Sequence, residues 1–303
     1  MVRDIVNLVA SVHQRLLNRA KASGRPFDEL LQRFAIERFL YRLSKSRYAD
    51  SFVLKGALML SVWSGPDSRP TRDIDLLGEI ENSLEAIAAA MALVCETDVE
   101  PDGMSFDAES VEATRVTQDA EYSGVRVRLK ATLGRARVTL QVDVGIGDAV
   151  FPAPCRIRYP TLLDFPAPEL VGYTIESTIA EKFQAMVALG ILNSRMKDFY
   201  DVWMLSGVCD FDGEVLAEAI RRAFERRGTQ VTTDSMVFGP SFANDPGKQT
   251  QWTAFIGKAK LDDAPGRFSE VASAVTSFLK PVARALAEER EFRTTWKAPG
   301  PWK

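Results

Sequence analysis

The chain has 303 residues, 46% hydrophobic and 26% charged, the make-up of a globular protein long enough to bury a core without staples. Its 38 Lys and Arg against 41 Asp and Glu leave a formal net charge of −3, which excludes binding to nucleic acid by bulk charge. His13 is the single histidine and lies in a helical pattern with Val9, Leu16 and Leu17, which reads as structural, so Ser–His–Asp triads and multi-histidine zinc sites are not expected and chemistry falls to carboxylates, lysines and arginines.

Cys95, Cys155 and Cys209 form no C-x-x-C pair and fit a reducing compartment. The opening residues carry charge at once and predict no signal peptide, and no apolar run approaches the roughly 18–20 residues that span a bilayer. A cytoplasmic protein without membrane contact is expected.

Residues 3–22 and 27–46 read as two helices broken at Ser23-Gly24-Arg25-Pro26. On the second, Leu30, Leu31, Phe34, Phe39, Leu40 and Leu43 recur at helical spacing. Its Arg33, Arg38, Arg42, Lys45 and Arg47 face elsewhere, either as a solvated face or as a surface for an RNA backbone. Phe52-Val53-Leu54 reads as a short strand, followed by Lys55-Gly56-Ala57 and a helix through Trp63. A turn-rich loop over 64–70 leads to a buried strand from Asp73 to Leu77. Residues 82–95 form an Ala-rich helix capped by Asn82 or Ser83. Residues 104–146 alternate with period two, as a meander of antiparallel strands. From Tyr173 the pattern turns helical: a helix capped by Thr174 and closed by Gly190, then helices at about 197–206, 212–227 and 267–289. The polar tail after Arg290 is expected to be loose. These elements predict an α+β chain: N-terminal helices over 1–49 packed on the core, a mixed α/β lobe over 50–165, a helical lobe over 166–290 and a tail over 291–303.

The chemistry concentrates in Arg69-Pro-Thr-Arg-Asp-Ile-Asp75. Asp73 and Asp75 are two apart on a strand, which puts both carboxylates on one face about 7 Å apart at their Cα atoms. Two like charges on an apolar strand need a neutralising partner, and a divalent cation such as Mg²⁺ or Mn²⁺ takes carboxylate oxygens together with substrate phosphates. Asp143, in Leu140-Gln-Val-Asp-Val-Gly-Ile146, repeats the oddity. If its strand lies beside the Asp73 strand, all three acids share a face, enough to hold two metals. The Lys55-Gly56-Ala57 turn, between strand and helix, lets phosphates approach backbone N–H groups. Further on, Lys182 offers positive charge for a leaving pyrophosphate, and Asp198 and Asp201, three apart on one helix face, could orient Lys182 or Arg195. Arg126, Arg128 and Lys130, or Arg221, Arg222, Arg226 and Arg227, are candidate RNA contacts.

Taken together, Lys55-Gly-Ala-Leu-Met-Leu60, Arg69-Pro-Thr-Arg-Asp-Ile-Asp75, Ile179-Ala-Glu-Lys-Phe183 and Ser194-Arg-Met-Lys-Asp-Phe-Tyr-Asp201 resemble the AbiEii/AbiGii family of nucleotidyltransferase-like toxins, from type IV toxin–antitoxin and phage-defence systems, and in kind the MenT toxins of mycobacteria. The resemblance covers about residues 50–205. It implies a DNA polymerase β-like nucleotidyltransferase core with a mixed sheet plus a helical C-terminal lobe. It also implies Mg²⁺-dependent (or Mn²⁺-dependent) transfer of NMP from an NTP to the 3′ end of tRNA, blocking translation, and a cognate AbiEi-like antitoxin. In this pattern Asp73, Asp75, Lys182 and Asp198 are catalytic, and Asp73, Asp75 and Asp143 hold metal. Lys55, Gly56, Ala57, Arg69, Thr71 and Arg195 bind the nucleotide. One departure is Gly56-Ala57, where the superfamily usually has Gly-Ser and the family often Gly-Gly, so a phosphate-binding hydroxyl is missing. Two other readings stay open: a metal-dependent nuclease, and a GTP-like NTP-binding defence protein without transfer activity.

Overall fold

The computed structural model describes residues 7–65, 69–119 and 122–303, with backbone alone for 117–119 and 122–123. The start of the first expected helix and the middle of the expected 64–70 loop lie outside the described residues. Contacts divide the chain into two units, residues 1–147 with 155–172, and residues 148–154 with 173–303. The expected boundary near 165 therefore falls after Gly172, because one more strand joins the first unit.

In the first unit, α1 (Leu8–Ser23) starts where Asn7 Oδ1 accepts from Ala10 N and stops at Gly24, whose φ of 65° suits a residue without a β-carbon. His13 stacks on Phe27 with ring centroids 4.8 Å apart, a packing role. There follow α2 (Phe27–Lys45), β1 (Phe52–Lys55), α3 (Leu58–Ser64), β2 (Asp73–Gly78), α4 (Leu84–Glu96), β3 (Met104–Asp119), β4 (Tyr122–Leu133), β5 (Ala136–Ile146), β6 (Cys155–Arg158) and β7 (Glu169–Gly172). The strands form one seven-stranded sheet in the order β3-β4-β5-β2-β1-β7-β6. Pairing is parallel at β2–β5 and β1–β7 and antiparallel elsewhere, so the sheet is mixed. The alternation read in the sequence sets its core: Ile74, Leu76, Val125, Val127, Leu129, Leu140, Val142 and Val144 are at most 1% exposed. Fully burying each such side chain stabilises the fold by roughly 1.5–3 kcal/mol.

The basic residues of α2 divide, with Lys45 exposed and Arg33 partly so. Arg38 and Arg42 are buried. Arg42 makes a two-pronged pair with Asp102 at 2.6 and 3.2 Å, and Arg38 donates to the Pro166 carbonyl at 2.9 Å. The middle of the helix is buried around most of its circumference, so these two guanidiniums serve its packing rather than solvent or an RNA.

The second unit contains α5 (Ile175–Leu189), α6 (Met196–Val208), β8 (Phe211–Asp212), α7 (Gly213–Arg226), α8 (Pro240–Ala243), α9 (Pro246–Ala259), α10 (Phe268–Ala287) and β9 (Thr295–Trp296). Thr174 caps α5 by accepting from Ser177 N. The tail, expected to be loose, is pinned: β9 pairs with β8, the Trp296 indole donates to the Ser206 carbonyl at 2.7 Å, and Trp302 stacks on Phe278 at 5.6 Å. Two tryptophans outweigh the polar and Pro/Gly residues around them, because Trp296 is buried, Trp302 half-buried, and each indole finds a hydrogen-bond partner. On α7, Arg221 and Arg222 pair with Glu218, and Arg222 also covers the Phe151 ring at 4.4 Å, while both side chains stay nearly half exposed. Among the described residues no helix is long and apolar enough to cross a membrane.

Candidate active site

Strand register brings the acids together. Lys55 on β1 is the register partner of Asp75 on β2, Asp75 of Asp143 on β5, and Asp143 of Arg126 on β4. Register partners point to the same face, so one row across four strands reads Lys55, Asp75, Asp143, Arg126. Asp73 belongs to the next row, with Gln141 and Arg128. All of these side chains lie on one sheet face, opposite Ile74, Val142 and Val127. Asp73, Asp75 and Asp143 are half-buried.

Asp143 is committed to Arg126. Nε and Nη2 of the guanidinium donate to its two oxygens at 2.8 Å each, and Gln141 Nε2 adds a contact at 3.3 Å. The hydrogen bond to Asp143 foremost, then the charges of Asp143, Asp73 and Asp75, raise the Arg126 pKa above its ordinary value, against an opposing effect of burial. Arg126 thus feels all three acids. Among the described residues no three Asp, Glu, His or Cys side chains converge as a preformed metal cluster. The pair that fits a hard cation is Asp73 with Asp75: two carboxylates, one strand, one face, with coordination left for phosphate oxygens and water.

Gly56 follows Lys55 with φ +69°, and a β-carbon there would lie 2.1 Å from Asp75 Oδ2 and 2.7 Å from its carboxyl carbon. The glycine of the Lys55-Gly56-Ala57 turn is thus demanded twice, by its backbone and by the neighbouring acid. Ala57 sits at the N-cap of the seven-residue α3, offers no side-chain cap and is buried. Arg69 is turned inward, 8% exposed, beside a cavity of about 30 Å³ that Thr71 and Tyr159 also line. That volume suits a water, not a nucleotide. Thr71 Oγ1 makes a long contact of 3.5 Å with the Asp73 carbonyl.

In the second unit α5 carries Lys182, and α6 carries Asp198 and Asp201, both 0% exposed. Lys182 Nζ lies 3.1 Å from Asp198 and 2.7 Å from Asp201, and Arg195 Nε lies 2.7 Å from the other Asp198 oxygen. Two cations thus balance two buried carboxylates. The start of α6 is built for this: Asn193 Oδ1 accepts from Arg195 N at 2.8 Å, while the buried Lys248 donates to the Ile191 and Asn193 carbonyls at 2.7 Å each.

Sequence reasoning found the acids but not the partner of Asp143. The signal was present, since Arg126 alternates onto the polar face of its strand, yet only the β4–β5 register says which acid it meets.

Two carboxylates on one strand stand against a glycine turn on an α+β sheet, an arrangement compatible with phosphate transfer. A family model described as nucleotidyl transferase AbiEii toxin, type IV TA system, matches residues 38–280, and the chain belongs to that family. It is an enzyme of the nucleotidyltransferase class, and the mixed sheet is its core. No curated protein matches the chain. Two solved structures are similar to it. One is an H. pylori protein assigned as a nucleotidyltransferase, at 15% identity over 86% of this chain and 95% of that one, with a TM-score of 0.47. Another is JHP933 from Helicobacter pylori, at 14% identity over 86% and 92%, with a TM-score of 0.45.

Proposed function

We propose that this chain transfers NMP from an NTP to the 3′ end of an RNA, with tRNA as the acceptor, and that the product is unfit for translation. The observation that carries the reading is the Asp73–Asp75 pair, fixed on β2 beside Gly56. Asp73 and Asp75 would hold Mg²⁺ or Mn²⁺, which when bound polarises the α-phosphate and lowers the pKa of the attacking hydroxyl. The 3′-oxygen of the acceptor attacks the α-phosphorus. The bond to the bridging oxygen breaks, pyrophosphate leaves, and the hydroxyl proton departs through water. Arg126 holds both Asp143 oxygens in place, so that acid shapes the field on the metal pair rather than competing for it. The motif resemblance gives Lys182 a role in transfer. Asp198 and Asp201 are then positioning residues, which hold that ammonium in place. A cognate antitoxin is the partner that membership of the family implies.

The test is incubation with Mg²⁺, each α-labelled NTP in turn and total bacterial tRNA. Label is expected on RNA with one NTP and lowered at least about 100-fold in a folded Asp75→Asn variant. Shortened RNA would identify a nuclease. Nucleotide binding without pyrophosphate release would identify a sensor. Full activity in Asp75→Asn would sink the mechanism.

A further inference from the structure

Past Asp73, on the same sheet face, lies a cleft of about 390 Å³ lined by Arg72, Arg128 and Arg137, with Asp28 and Gln32 of α2 to one side. Its size falls within the roughly 300–1,000 Å³ of small-ligand sites. Arg128 shares the row of Asp73, joined through Gln141. Arg137 lies four and six residues before Gln141 and Asp143 on β5, and so on their face. The three arginines are exposed, and among the described residues none of them forms an ion pair. Arg126, on the same face, is consumed by Asp143. The cation beside the acids is thus neutralised, while those beyond them face solvent across the cleft.

Three guanidiniums meet two carboxylates there, Asp28 and Asp73, and Asp73 is assigned to the metal in the reading above. Guanidinium forks match the paired oxygens of a phosphate. Two sources of phosphate are at hand, the NTP and the acceptor. The two aspartates separate them. Asp75 abuts the Lys55–Gly56 turn, while Asp73 lines the cleft. A strand lying in the cleft meets the metal pair from the Asp73 side and leaves the Asp75 side for the nucleotide.

We propose that the Arg72–Arg128–Arg137 cleft seats backbone phosphates of the acceptor RNA next to its 3′ end and delivers that end to Asp73. The inference rests on the reading that the acceptor is an RNA. The phosphates fix register and direction, and the bases carry no part of this contact. The cleft also explains how a chain of net charge −3 gathers a polyanion, through one local patch.

The experiment is fluorescence anisotropy of a short, 5′-labelled single-stranded oligoribonucleotide with the full chain and with Arg128→Ala/Arg137→Ala, across a salt series. The variant is expected to bind about tenfold more weakly, with a log K against log salt slope shallower by about 1.4, roughly 0.7 for each phosphate that is no longer neutralised. Its affinity for NTP is expected to stay within about twofold. The assay needs no turnover, so its result is independent of transfer. Asp75→Asn, which leaves the cleft whole, separates the two readings by binding the oligonucleotide while losing transfer. RNA affinity unchanged in the folded double variant overturns the proposal, as does an unchanged protein that binds no RNA. A variant that loses NTP affinity and keeps RNA affinity overturns it in favour of a triphosphate seat.

Discussion

Asp75 Oδ2 occupies the space that a side chain on residue 56 would fill, 2.1 Å from where the β-carbon would stand. The turn after β1 therefore sets the position of an acid on the neighbouring strand. In Gly56→Ala, the left-handed backbone costs about 1 kcal/mol and the clash must be relieved by moving either the turn or the carboxylate. Asp75 is the more mobile of the two, so transfer is expected to fall at least about 100-fold while the melting temperature drops by only a few degrees. Thermal melts beside the labelled-NTP assay check this. A variant with ordinary turnover would show that the glycine does not position Asp75.

Asp143 should behave as an anchor for Arg126. The pair is half-buried and two-pronged, so Asp143→Asn is expected to cost about 1–3 kcal/mol of stability by leaving the guanidinium short of partners. The Mg²⁺ concentration at half-maximal transfer should move by less than about threefold, against a much larger shift in Asp73→Asn, whose carboxylate the proposed function assigns to the metal. Metal titration of both variants decides between them. A comparable shift in Asp143→Asn would return that acid to the metal.

The acids were legible because a strand reports its faces: two aspartates two apart in an apolar run must point together, and an aspartate in a second such run invites the same question. What the sequence could not supply was register. That Asp143 falls opposite Asp75 and Arg126 opposite Asp143 depends on β5 running parallel to β2 and antiparallel to β4, a non-local choice. β7 escaped notice because four residues carry no clear period. The arginines of α2 misled because charge in a helical pattern ordinarily means solvent, and here Asp102 and the Pro166 carbonyl await them. Arg69 sat in the motif, and nothing in the sequence signalled that it would be turned inward beside a small cavity.

The Lys182 cluster predicts a large loss on single substitution and recovery on double substitution. Lys182→Met leaves Asp198 and Asp201, both 0% exposed, without the ammonium they share, while Arg195 still pairs with Asp198. Removal of one partner from such a buried set costs about 3–5 kcal/mol. Adding Asp201→Asn removes the surplus charge and is expected to restore about half of that or more. Urea denaturation of the single and double variants measures both. A Lys182→Met protein as stable as the parent would mean that the carboxylates have other compensation.

Glu37 is expected to give the fold a pH dependence whose sign follows from its burial. It lies on α2, wholly buried; its Oε2 accepts from Leu162 N at 2.9 Å, and Arg33 Nε stands 3.4 Å from Oε1. Burial dominates, and although the Leu162 hydrogen bond and the Arg33 and Arg38 charges pull the other way, the carboxyl is pushed up from 4.5 to about 7. The folded chain therefore holds this proton where the unfolded chain has released it. The stability tied to that proton is fully present below about pH 4.5 and is lost as pH rises through about 7, a change on the order of 3 kcal/mol. Glu37→Gln cannot ionise and its amide oxygen can still accept from Leu162, so its stability should run flat across that window. By about pH 8 it should exceed the parent's by a few kcal/mol at most. Urea midpoints for both proteins from about pH 5 to about pH 8 give the comparison, and parallel profiles would show that Glu37 is ionised in the fold at neutral pH, with Arg33 and Arg38 outweighing its burial.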